Sequence, residues 1–498
     1  MKTGFVHRTA GVWGMVLGFG SSTALAAAIG FNLSPSIFTD DFVGKVDLNI
    51  SNLTSGMTVN VDEYADLNTN GVIDAGDLLL GSFQLTDGQL ALVSGLRNLN
   101  VSGDDDGLTN GQILVQYNYP GAGGGVWAGK FLFRVSDPAS ILTAGTQAVS
   151  VVQYDYPQTI AGRITFAVSG LPLTNCLVGA VGLGSAALLT LTDTNGNYLM
   201  HVVPGSYVVV GFNQQGAVFN QNQITVISCG QAVTNNIVVT NGAFSISGRV
   251  TDSGTGAGIP DLQVDAHTPD NLGANSFTDT NGNYTLQVTA NTWSLHPTTG
   301  AAAERGYVDH TRSNIVVTSA SVSGVNFSLS KPTALIYGSV KDTHGNPVIG
   351  IQISTRDPAN NFHPVGRSFA TDGSYSIGVL AGTWNNVAPN SGDLALQGFS
   401  AGSGANVTLV AGQTTNLNFV VTRTNFPTLT SPVHISSSQF QFLLNGLAGR
   451  SYTIQTVTNL EDTSWLALLT TNVPCTSVFI LDSQATNNQR FYRALILP

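Results

Sequence analysis

Oxygen-bearing side chains recur within residues 66–77 at the spacing of a calcium-binding loop. Aspartate or asparagine occupies the first, third, fifth, ninth and twelfth positions, which are Asp66, Asn68, Asn70, Asp74 and Asp77. Position six is a glycine, which permits the sharp turn of such a loop, and the backbone carbonyl of Val72 at position seven is a further expected ligand. Because Ca²⁺ is a hard cation that prefers oxygen ligands, this pattern predicts a Ca²⁺ site.

The last position of this loop departs from the commonest pattern, because it is Asp77 rather than glutamate. In this respect the stretch resembles the calcium loops of dockerin-like bacterial domains. The shorter acid changes how its two carboxylate oxygens can hold the ion. No pair of helices is predicted beside the loop, so the sequence does not indicate a complete EF-hand. The alternative is a solvated acidic turn between two strands.

Other reactive side chains do not fall into the patterns of known catalytic sites. The sequence contains no H-E-x-x-H, no G-x-S-x-G, no phosphate-binding P-loop and no C-x-x-C. Glutamate occurs only at positions 63, 304 and 461, so the repeats described below cannot share a glutamate acid/base pair. We therefore expect a protein without catalytic activity.

The first 26 residues have the layout of a secretory signal peptide. Lys2 and Arg8 precede an apolar stretch, and Ala24-Leu25-Ala26 matches an A-x-A cleavage site. An uncleaved N-terminal anchor is the alternative. No later stretch is long and apolar enough to span a membrane, so we expect no transmembrane segment in the mature chain. These features predict a protein that is secreted or held at the cell surface.

Charge is sparse and acidic along the chain. Lysine and arginine number 18 against 29 acids, which gives a net charge of −11. A nucleic-acid-binding protein needs a basic surface, so the composition argues against that class of partner. With 498 residues, of which 42% are hydrophobic, the chain is long and apolar enough for several packed domains.

Three sequence markers recur in constant register through the middle of the chain. The turn sequence at 193–198 returns at 279–284 and, altered, at 371–375. Each copy has an upstream glycine and a downstream aromatic residue. These are Gly162 and Tyr207 in the first copy, Gly248 and Trp293 in the second, and Gly338 and Trp384 in the third. The tyrosines that end the turns lie 86 and then 91 residues apart (284 − 198 and 375 − 284). We therefore predict three homologous domains, at 158–240, 241–330 and 331–425.

Short runs of alternating apolar and polar residues fill each repeat. Tyr284-Thr285-Leu286-Gln287-Val288 is one such run, and Asn281-Gly282 before it is predicted to form a two-residue hairpin turn. About seven short strands in roughly 90 residues are typical of a β-sandwich. Residues 27–157, which carry the acidic loop, and residues 426–498 are predicted to be two further β-domains. The predicted fold class is thus all-β, a linear array of about five sandwich-like domains.

The repeats resemble the carboxypeptidase regulatory-like domain, which has a transthyretin-like β-sandwich fold. The resemblance rests on a Gly-[Arg/Ser]-[Val/Ile] strand and on the Asp-Thr-Asn-Gly-Asn-Tyr turn, and it covers about 158–425. The second repeat carries it best. Because the family name describes an accessory domain, the resemblance implies no catalytic residues.

The C-terminal domain carries a different resemblance. Tyr452-Thr453-Ile454-Gln455 and Arg490-Phe491-Tyr492-Arg493 are similar to segments of a small C-terminal β-domain in exported proteins of Verrucomicrobia-like bacteria. The resemblance implies export but no particular activity.

The three cysteines fit an exported chain. Cys176 and Cys229 lie 53 residues apart within the first repeat, whereas Cys475 belongs to the last domain. Because export permits disulfides, we expect Cys176 and Cys229 to pair and Cys475 to be a buried thiol. The alternative is that Cys176 and Cys229 are small buried residues that never meet.

The sequence leaves three functional interpretations. The favoured one is a secreted or cell-surface structural or adhesion protein, monomeric, stiffened by Ca²⁺ and facing an extracellular protein or polysaccharide surface. The alternative is a polysaccharide-binding protein of carbohydrate-binding-like fold that stacks sugars on exposed rings. Burial of the repeated aromatic residues (Tyr207, Trp293 and Trp384) would favour the first interpretation. A secreted hydrolase is a third alternative, which the missing motifs disfavour.

Overall fold

A computed structural model describes residues 27–40, 42, 44–119, 125–153, 156–182, 187–212, 216–309, 313–369, 371–486 and 489–496. The predicted signal peptide, residues 1–26, lies outside the described residues. Strands dominate the rest, with two helices of six residues each in the described part. The prediction of an all-β chain made of several β-sandwiches is confirmed. Among these residues, no helix is both long and apolar enough to cross a membrane.

The N-terminal unit has two main sheets around one core. Its sheets have the strand orders β1-β3-β8 and β2-β11-β10-β4-β5, and both contribute to a core that includes Leu48, Val61 and Phe133. The strands are β1 (Gly30–Ser34), β2 (Ile37–Thr39), β3 (Gly44–Ser51), β4 (Thr58–Ala65), β5 (Leu78–Thr86), β6 (Leu92–Val93), β7 (Leu96–Arg97), β8 (Ile113–Tyr119), β9 (Gly125–Trp127), β10 (Gly129–Ser136) and β11 (Gly145–Val152).

The first repeat shares strands with both of its neighbours. Its strands are β12 (Thr159–Phe166), β13 (Leu177–Gly182), β14 (Ala187–Leu191), β15 (Asn197–His201), β16 (Gly205–Phe212), β17 (Ala217–Asn220), β18 (Ile224–Ile227), β19 (Ala232–Thr234) and β20 (Ile237–Asn241). Strand β9 of the N-terminal unit extends one sheet, in the order β18-β16-β13-β14-β9. Strand β17 continues the other sheet into the second repeat.

The second repeat contains β21 (Phe244–Asp252), β22 (Gln263–His267), β23 (Leu272–Phe277), β24 (Asn283–Val288), β25 (Asn291–Pro297), α1 (Thr299–Glu304), β26 (Ser313–Val317) and β27 (Phe327–Leu329). Strands β24, β21 and β27 form one sheet, and β23, β22, β25 and β26 belong to the other. In β24 every second residue is buried, as the alternating sequence requires. The alternation therefore places Tyr284, Leu286 and Val288 in the core.

The third repeat follows the same plan. It contains β28 (Ala334–Asp342), β29 (Gln352–Arg356), β30 (Val365–Arg367), β31 (Ser374–Val379), β32 (Gly382–Pro389), α2 (Ser391–Leu396), β33 (Phe399–Ser400), β34 (Ala405–Leu409), β35 (Thr414–Asn416) and β36 (Phe419–Arg423). Strand β28 pairs antiparallel with β31 and parallel with β36, as β21 pairs with β24 and β27. This equivalence matches the repeated sequence markers.

The C-terminal unit is two three-stranded sheets. The orders are β37-β38-β41 and β40-β39-β42. The strands are β37 (Thr428–Ser436), β38 (Gln439–Asn445), β39 (Arg450–Val457), β40 (Leu466–Val473), β41 (Ser477–Asp482) and β42 (Phe491–Ile496). Its core includes Phe442, Tyr452 and Ile480. The domain boundaries proposed from the sequence remain predictions.

The repeated tyrosine and the repeated glycine meet at one backbone carbonyl. In the second repeat the Tyr284 hydroxyl donates to the carbonyl of Val325 at 2.7 Å, and a methyl group on Gly248 would collide with that same carbonyl. In the first repeat the equivalent groups are Tyr198, Gly162 and the carbonyl of Asn235. In the third repeat they are Tyr375, Gly338 and the carbonyl of Leu417. The tyrosine and the glycine therefore recur because the first strand of each repeat packs closely against the segment that leads to its last strand.

The predicted hairpin at Asn281-Gly282 is a different kind of turn. Strand β24 pairs with β21 rather than with β23, so the turn connects two sheets. Of its two central residues, Gly282 alone has a positive φ, at 81°. The turn is held by Asp279, whose carboxylate accepts the N–H groups of Asn281 and Asn283 at 2.8 Å. The aspartate, and not only the Asn-Gly pair, therefore shapes the connection.

The units do not simply follow one another in a row, which corrects the predicted linear array. Asn100 of the N-terminal unit donates to the carbonyls of Val365 and Ser376 in the third repeat, at 3.0 and 3.1 Å. In the C-terminal unit, Gly449 packs against Val203 of the first repeat, and Leu447 lies against the third repeat at Gly398. Hydrogen bonds from a side-chain amide and apolar contacts between loops therefore join units that are distant in sequence.

Replacing Tyr284 by phenylalanine removes the hydroxyl that binds the Val325 carbonyl. We expect the free energy of unfolding to fall by about 1–2 kcal/mol, because a buried acceptor that loses its donor carries a desolvation cost. Urea unfolding of the mature chain measures the loss. Tyr337→Phe, at a half-buried tyrosine outside the motif, is the matched control. Equal stability of the two variants would contradict the structural role of the hydroxyl.

Candidate functional site

The acidic loop connects two neighbouring antiparallel strands. Strand β4 ends at Ala65 and β5 begins at Leu78, and these two residues are register partners. Residues 66–77 therefore form the end of a hairpin, and no helix flanks them, as expected. Asp66 is buried, whereas most of the loop is exposed. Gly71 has a φ of 74°, which agrees with the sharp turn expected at position six.

The carboxylates at the two ends of the loop bind its backbone. Asp66 accepts the N–H groups of Asn70 at 3.1 Å and Gly71 at 2.9 Å. Asp77 accepts the N–H groups of Asp74 at 2.9 Å and Leu67 at 3.2 Å. These bonds define the shape of the loop.

Three of the predicted ligand side chains meet at the centre of the loop. The side-chain amides of Asn68 and Asn70 both donate to Oδ2 of Asp74, at 2.8 and 2.9 Å. Together with the N–H of Gly76, which is the largest cause, these donors hold the pKa of Asp74 below its usual range. Asp74 is therefore a carboxylate in neutral solution, as a Ca²⁺ ligand must be.

The loop contains the oxygen-bearing side chains that Ca²⁺ prefers, but its carboxylates are not grouped around one point. Within the described part of the chain, no three acidic, histidine or cysteine side chains are grouped so that they could hold a metal ion. Asn68 and Asn70 turn their amide nitrogens, not their oxygens, towards Asp74. Cation binding would require both amides to rotate, so the predicted Ca²⁺ site stays a prediction.

The repeated aromatic residues are buried and have one common partner type. Tyr207, Trp293 and Trp384 are 4%, 0% and 2% exposed. Each donates its polar hydrogen to the carbonyl four residues earlier, which belongs to Val203, Thr289 or Leu380 respectively, at 2.8–2.9 Å. These rings are core residues, as the favoured interpretation required, and their faces are not available to stack on sugars.

The prediction that Cys176 and Cys229 form a disulfide is wrong. The structure joins Cys229 to Cys475, with 5.4 Å between their Cα atoms, and leaves Cys176 as a buried free thiol. Cys176 precedes β13 and its side chain lies in the core of the first repeat, where burial raises its pKa to about 12. Cys229 follows β18, in a loop that the C-terminal unit approaches. Sequence distance gave no signal of this contact, because it is made between separate units.

A side-chain amide reinforces the link between these two units. Gln158, just before β12, donates to the carbonyl of Pro474 at 2.7 Å and lies 3.5 Å from the sulfur of Cys475. The disulfide therefore lies within a contact that polar groups also support.

Comparison with protein families identifies one domain of the chain. Residues 245–330 match the carboxypeptidase regulatory-like domain, in agreement with the resemblance of the second repeat. This stretch is less than half of the chain, so the match describes a domain and not the whole protein. No curated protein matches the chain. The resemblances of the acidic loop and of the C-terminal unit remain predictions.

Solved structures show only weak overall similarity. The Bacillus anthracis TIE protein aligns over 79% of this chain and 75% of its own, with 9% identity and a TM-score of 0.18. BcpA, the major pilin subunit of Bacillus cereus, aligns over 53% of this chain and 99% of its own, with 10% identity and a TM-score of 0.14. GBS52, the minor pilin of Streptococcus agalactiae, aligns over 38% and 100%, with 10% identity and a TM-score of 0.19. Scores this low carry no argument about function.

Peptide mapping of the non-reduced mature protein tests the cysteine assignment. We expect a cross-linked peptide that contains Cys229 and Cys475, and alkylation of Cys176 only after unfolding, because its thiol is buried. A free-thiol count alone is not sufficient, since either pairing leaves one thiol. Recovery of a Cys176–Cys229 peptide would overturn the assignment.

Proposed function

We propose that this chain is an exported, non-catalytic structural or adhesion protein of the cell surface. The observation that carries the proposal is the use of the repeated residues. The tyrosine, the glycine and the aromatic residue that recur in all three repeats each serve internal packing. The residues that the repeats share thus maintain the sandwich fold and are not a set of exposed reactive groups.

The proposed organisation follows the predicted domains. A signal peptide of residues 1–26 is removed, and the unit at 27–157 precedes the repeats at 158–240, 241–330 and 331–425 and the C-terminal unit at 426–498. The mature chain is proposed to be a monomer. Its partner is an extracellular protein or a polysaccharide surface, and the acidic composition argues against nucleic acid.

Localisation is tested on intact source cells. Brief protease treatment of the cells should remove the protein or release its fragments, while a cytoplasmic marker stays intact. Mass spectrometry of the protein should find an N-terminus at Ala27. Protection of the protein until the cells are lysed would contradict the proposal.

The polysaccharide-binding alternative loses its argument from the repeats, because Tyr207, Trp293 and Trp384 are buried. A glycan array probed with the mature protein, with and without Ca²⁺, distinguishes the two functions. Binding to an extracellular protein surface with no glycan signal supports the favoured function. Specific glycan binding would support the alternative.

We further propose that the acidic loop binds one Ca²⁺ and stiffens the end of the β4–β5 hairpin. The proposed ligands are the carbonyl of Val72 and the side chains of Asp66, Asn68, Asn70, Asp74 and Asp77. The support for this proposal is the ligand spacing, the positive φ of Gly71 and the convergence of Asn68 and Asn70 on Asp74. Rotation of the two amides would turn their oxygens inward, and the cation would offset the repulsion among three carboxylates.

Calorimetry of the mature chain with millimolar Ca²⁺ or with a chelator tests this site. At a hundredfold excess over Kd, binding to the folded state stabilises it by about 2.7 kcal/mol. We therefore expect the transition that includes the N-terminal unit to move up by several degrees. Asp66→Ala combined with Asp77→Ala should abolish the shift, whereas the exposed-loop control Asp462→Ala should retain it. A wild-type protein that melts identically in both conditions has no functional Ca²⁺ site here.

A further inference from the structure

The C-terminal unit has its own sheets and its own core. Within the described residues, its sheets β37-β38-β41 and β40-β39-β42 include no strand of another unit, whereas β9 and β17 carry a sheet from one unit into the next. The core around Phe442 and Ile454 consists of residues of this unit, and the core around Ile160 and Val178 consists of residues of the first repeat. Because neither core depends on the other, we expect both units to remain folded when their mutual contact is lost.

A short segment connects the C-terminal unit to the third repeat. Residues 424–427 lie between β36 and β37 and belong to no strand. The N–H groups of Thr424 and Asn425 both donate to the carbonyl of Gly398 in the third repeat, at 2.8 and 3.3 Å. Leu447 of the C-terminal unit also packs at Gly398. The C-terminal unit can therefore rotate about this connection without leaving the third repeat.

A separate contact joins the C-terminal unit to the first repeat. Its centre is the disulfide between Cys229 and Cys475, beside the hydrogen bond from fully buried Gln158. Gly449 lies so close to Tyr156 that an added methyl group would be 3.0 Å from the tyrosine hydroxyl. We call this contact the C-terminal interface, and its residues are Tyr156, Gln158, Cys229, Gly449, Pro474 and Cys475.

The two cysteines of this disulfide are reachable from solvent, unlike Cys176. Cys229 is exposed in the loop between β18 and β19, and Cys475 is half-buried between β40 and β41. Cys176 is fully buried in the core of the first repeat. A dissolved thiol can therefore approach the disulfide from the side of Cys229 while both units stay folded.

We propose that the Cys229–Cys475 disulfide is a redox-sensitive link that holds the C-terminal unit against the first repeat. When the two sulfurs are bonded, the C-terminal interface is closed. When a thiol reduces the bond, the C-terminal unit separates from the first repeat and rotates about residues 424–427. The covalent bond is needed because the two units share no core, and a hydrogen bond such as that of Gln158 contributes little once water competes for its partners.

The reduction is an exchange between the protein disulfide and two low-molecular-weight thiols. The first thiolate attacks Sγ of Cys229, the bond to Cys475 breaks, and Cys475 leaves as a thiolate that takes a proton from water. The second thiolate attacks the small-molecule sulfur of the mixed disulfide, which releases Cys229 and forms the disulfide of the small thiol. Two electrons thus pass from the small thiols to the protein. The inference goes beyond the proposed structural role, because it makes the arrangement of the units depend on thiols in the surroundings.

Hydroxyl-radical footprinting of the mature chain reads out the C-terminal interface. The oxidised wild type is compared with wild type whose exposed cysteines have been reduced and alkylated under native conditions. Tyr156, which is 5% exposed and contacts Gly449, should be modified several-fold faster after reduction. Tyr198 and Tyr452 are buried in the cores of the two units, so they should stay protected in both forms.

Two variants separate the link from other effects of the reductant. Cys229→Ser cannot form the disulfide and should behave like the reduced wild type without any reductant. Cys176→Ala, the matched control at the remaining cysteine, should behave like the oxidised wild type and respond to reduction as it does. Protection of Tyr156 in both the reduced wild type and Cys229→Ser would overturn the proposal. Faster modification of Tyr198 and Tyr452 on reduction would also overturn it, because the units would then be unfolding.

Reduced glutathione tests the order and the reversibility of the exchange. After rapid alkylation, mass spectrometry should find glutathione mainly on Cys229 and none on Cys176 of the folded protein. Removal of glutathione followed by reoxidation should restore the protection of Tyr156. Glutathione trapped mainly on Cys475 or on Cys176, or protection that does not return, would contradict a reversible link that opens at Cys229.

Discussion

In each repeat, one backbone carbonyl accepts a hydrogen bond from a buried tyrosine and lies against a glycine that has no side chain. In the second repeat these groups are Val325, Tyr284 and Gly248. The contact requires the first strand to approach the final segment more closely than any Cβ atom permits, and it supplies a donor for a carbonyl buried there. Strand order, the parallel pairing of the last strand and the position of the core all depend on this packing.

In this architecture, the disulfide and several polar contacts lie where units meet. The repeated aromatic rings are buried, so the contacts of each repeat with other units are made by residues that the repeats do not share. The first repeat is joined to the C-terminal unit through Cys229, and Arg305 of the second repeat donates to the Ser82 carbonyl of the N-terminal unit. The third repeat receives hydrogen bonds from Asn100. Each repeat thus uses the same sandwich for a different contact.

The two acidic features of the N-terminal unit differ in their surroundings. The loop at 66–77 is mostly solvated, and its carboxylates are satisfied by nearby N–H groups, so Asp74 ionises readily. Glu63 lies only a few residues earlier, but its side chain lines a cavity among aromatic residues, and burial there raises its pKa to about 7. Water and backbone donors lower the cost of charge in the first case, whereas burial raises it in the second.

The sequence by itself determined the all-β class and the three repeats, because strand alternation and turn residues are local properties. Tertiary structure decided the partner of Cys229 and the contacts of Asn100 with the third repeat. These contacts join residues hundreds of positions apart, and no periodicity encodes them. They arise from how separate sandwiches pack, which depends on surface shape and on which buried polar groups find partners.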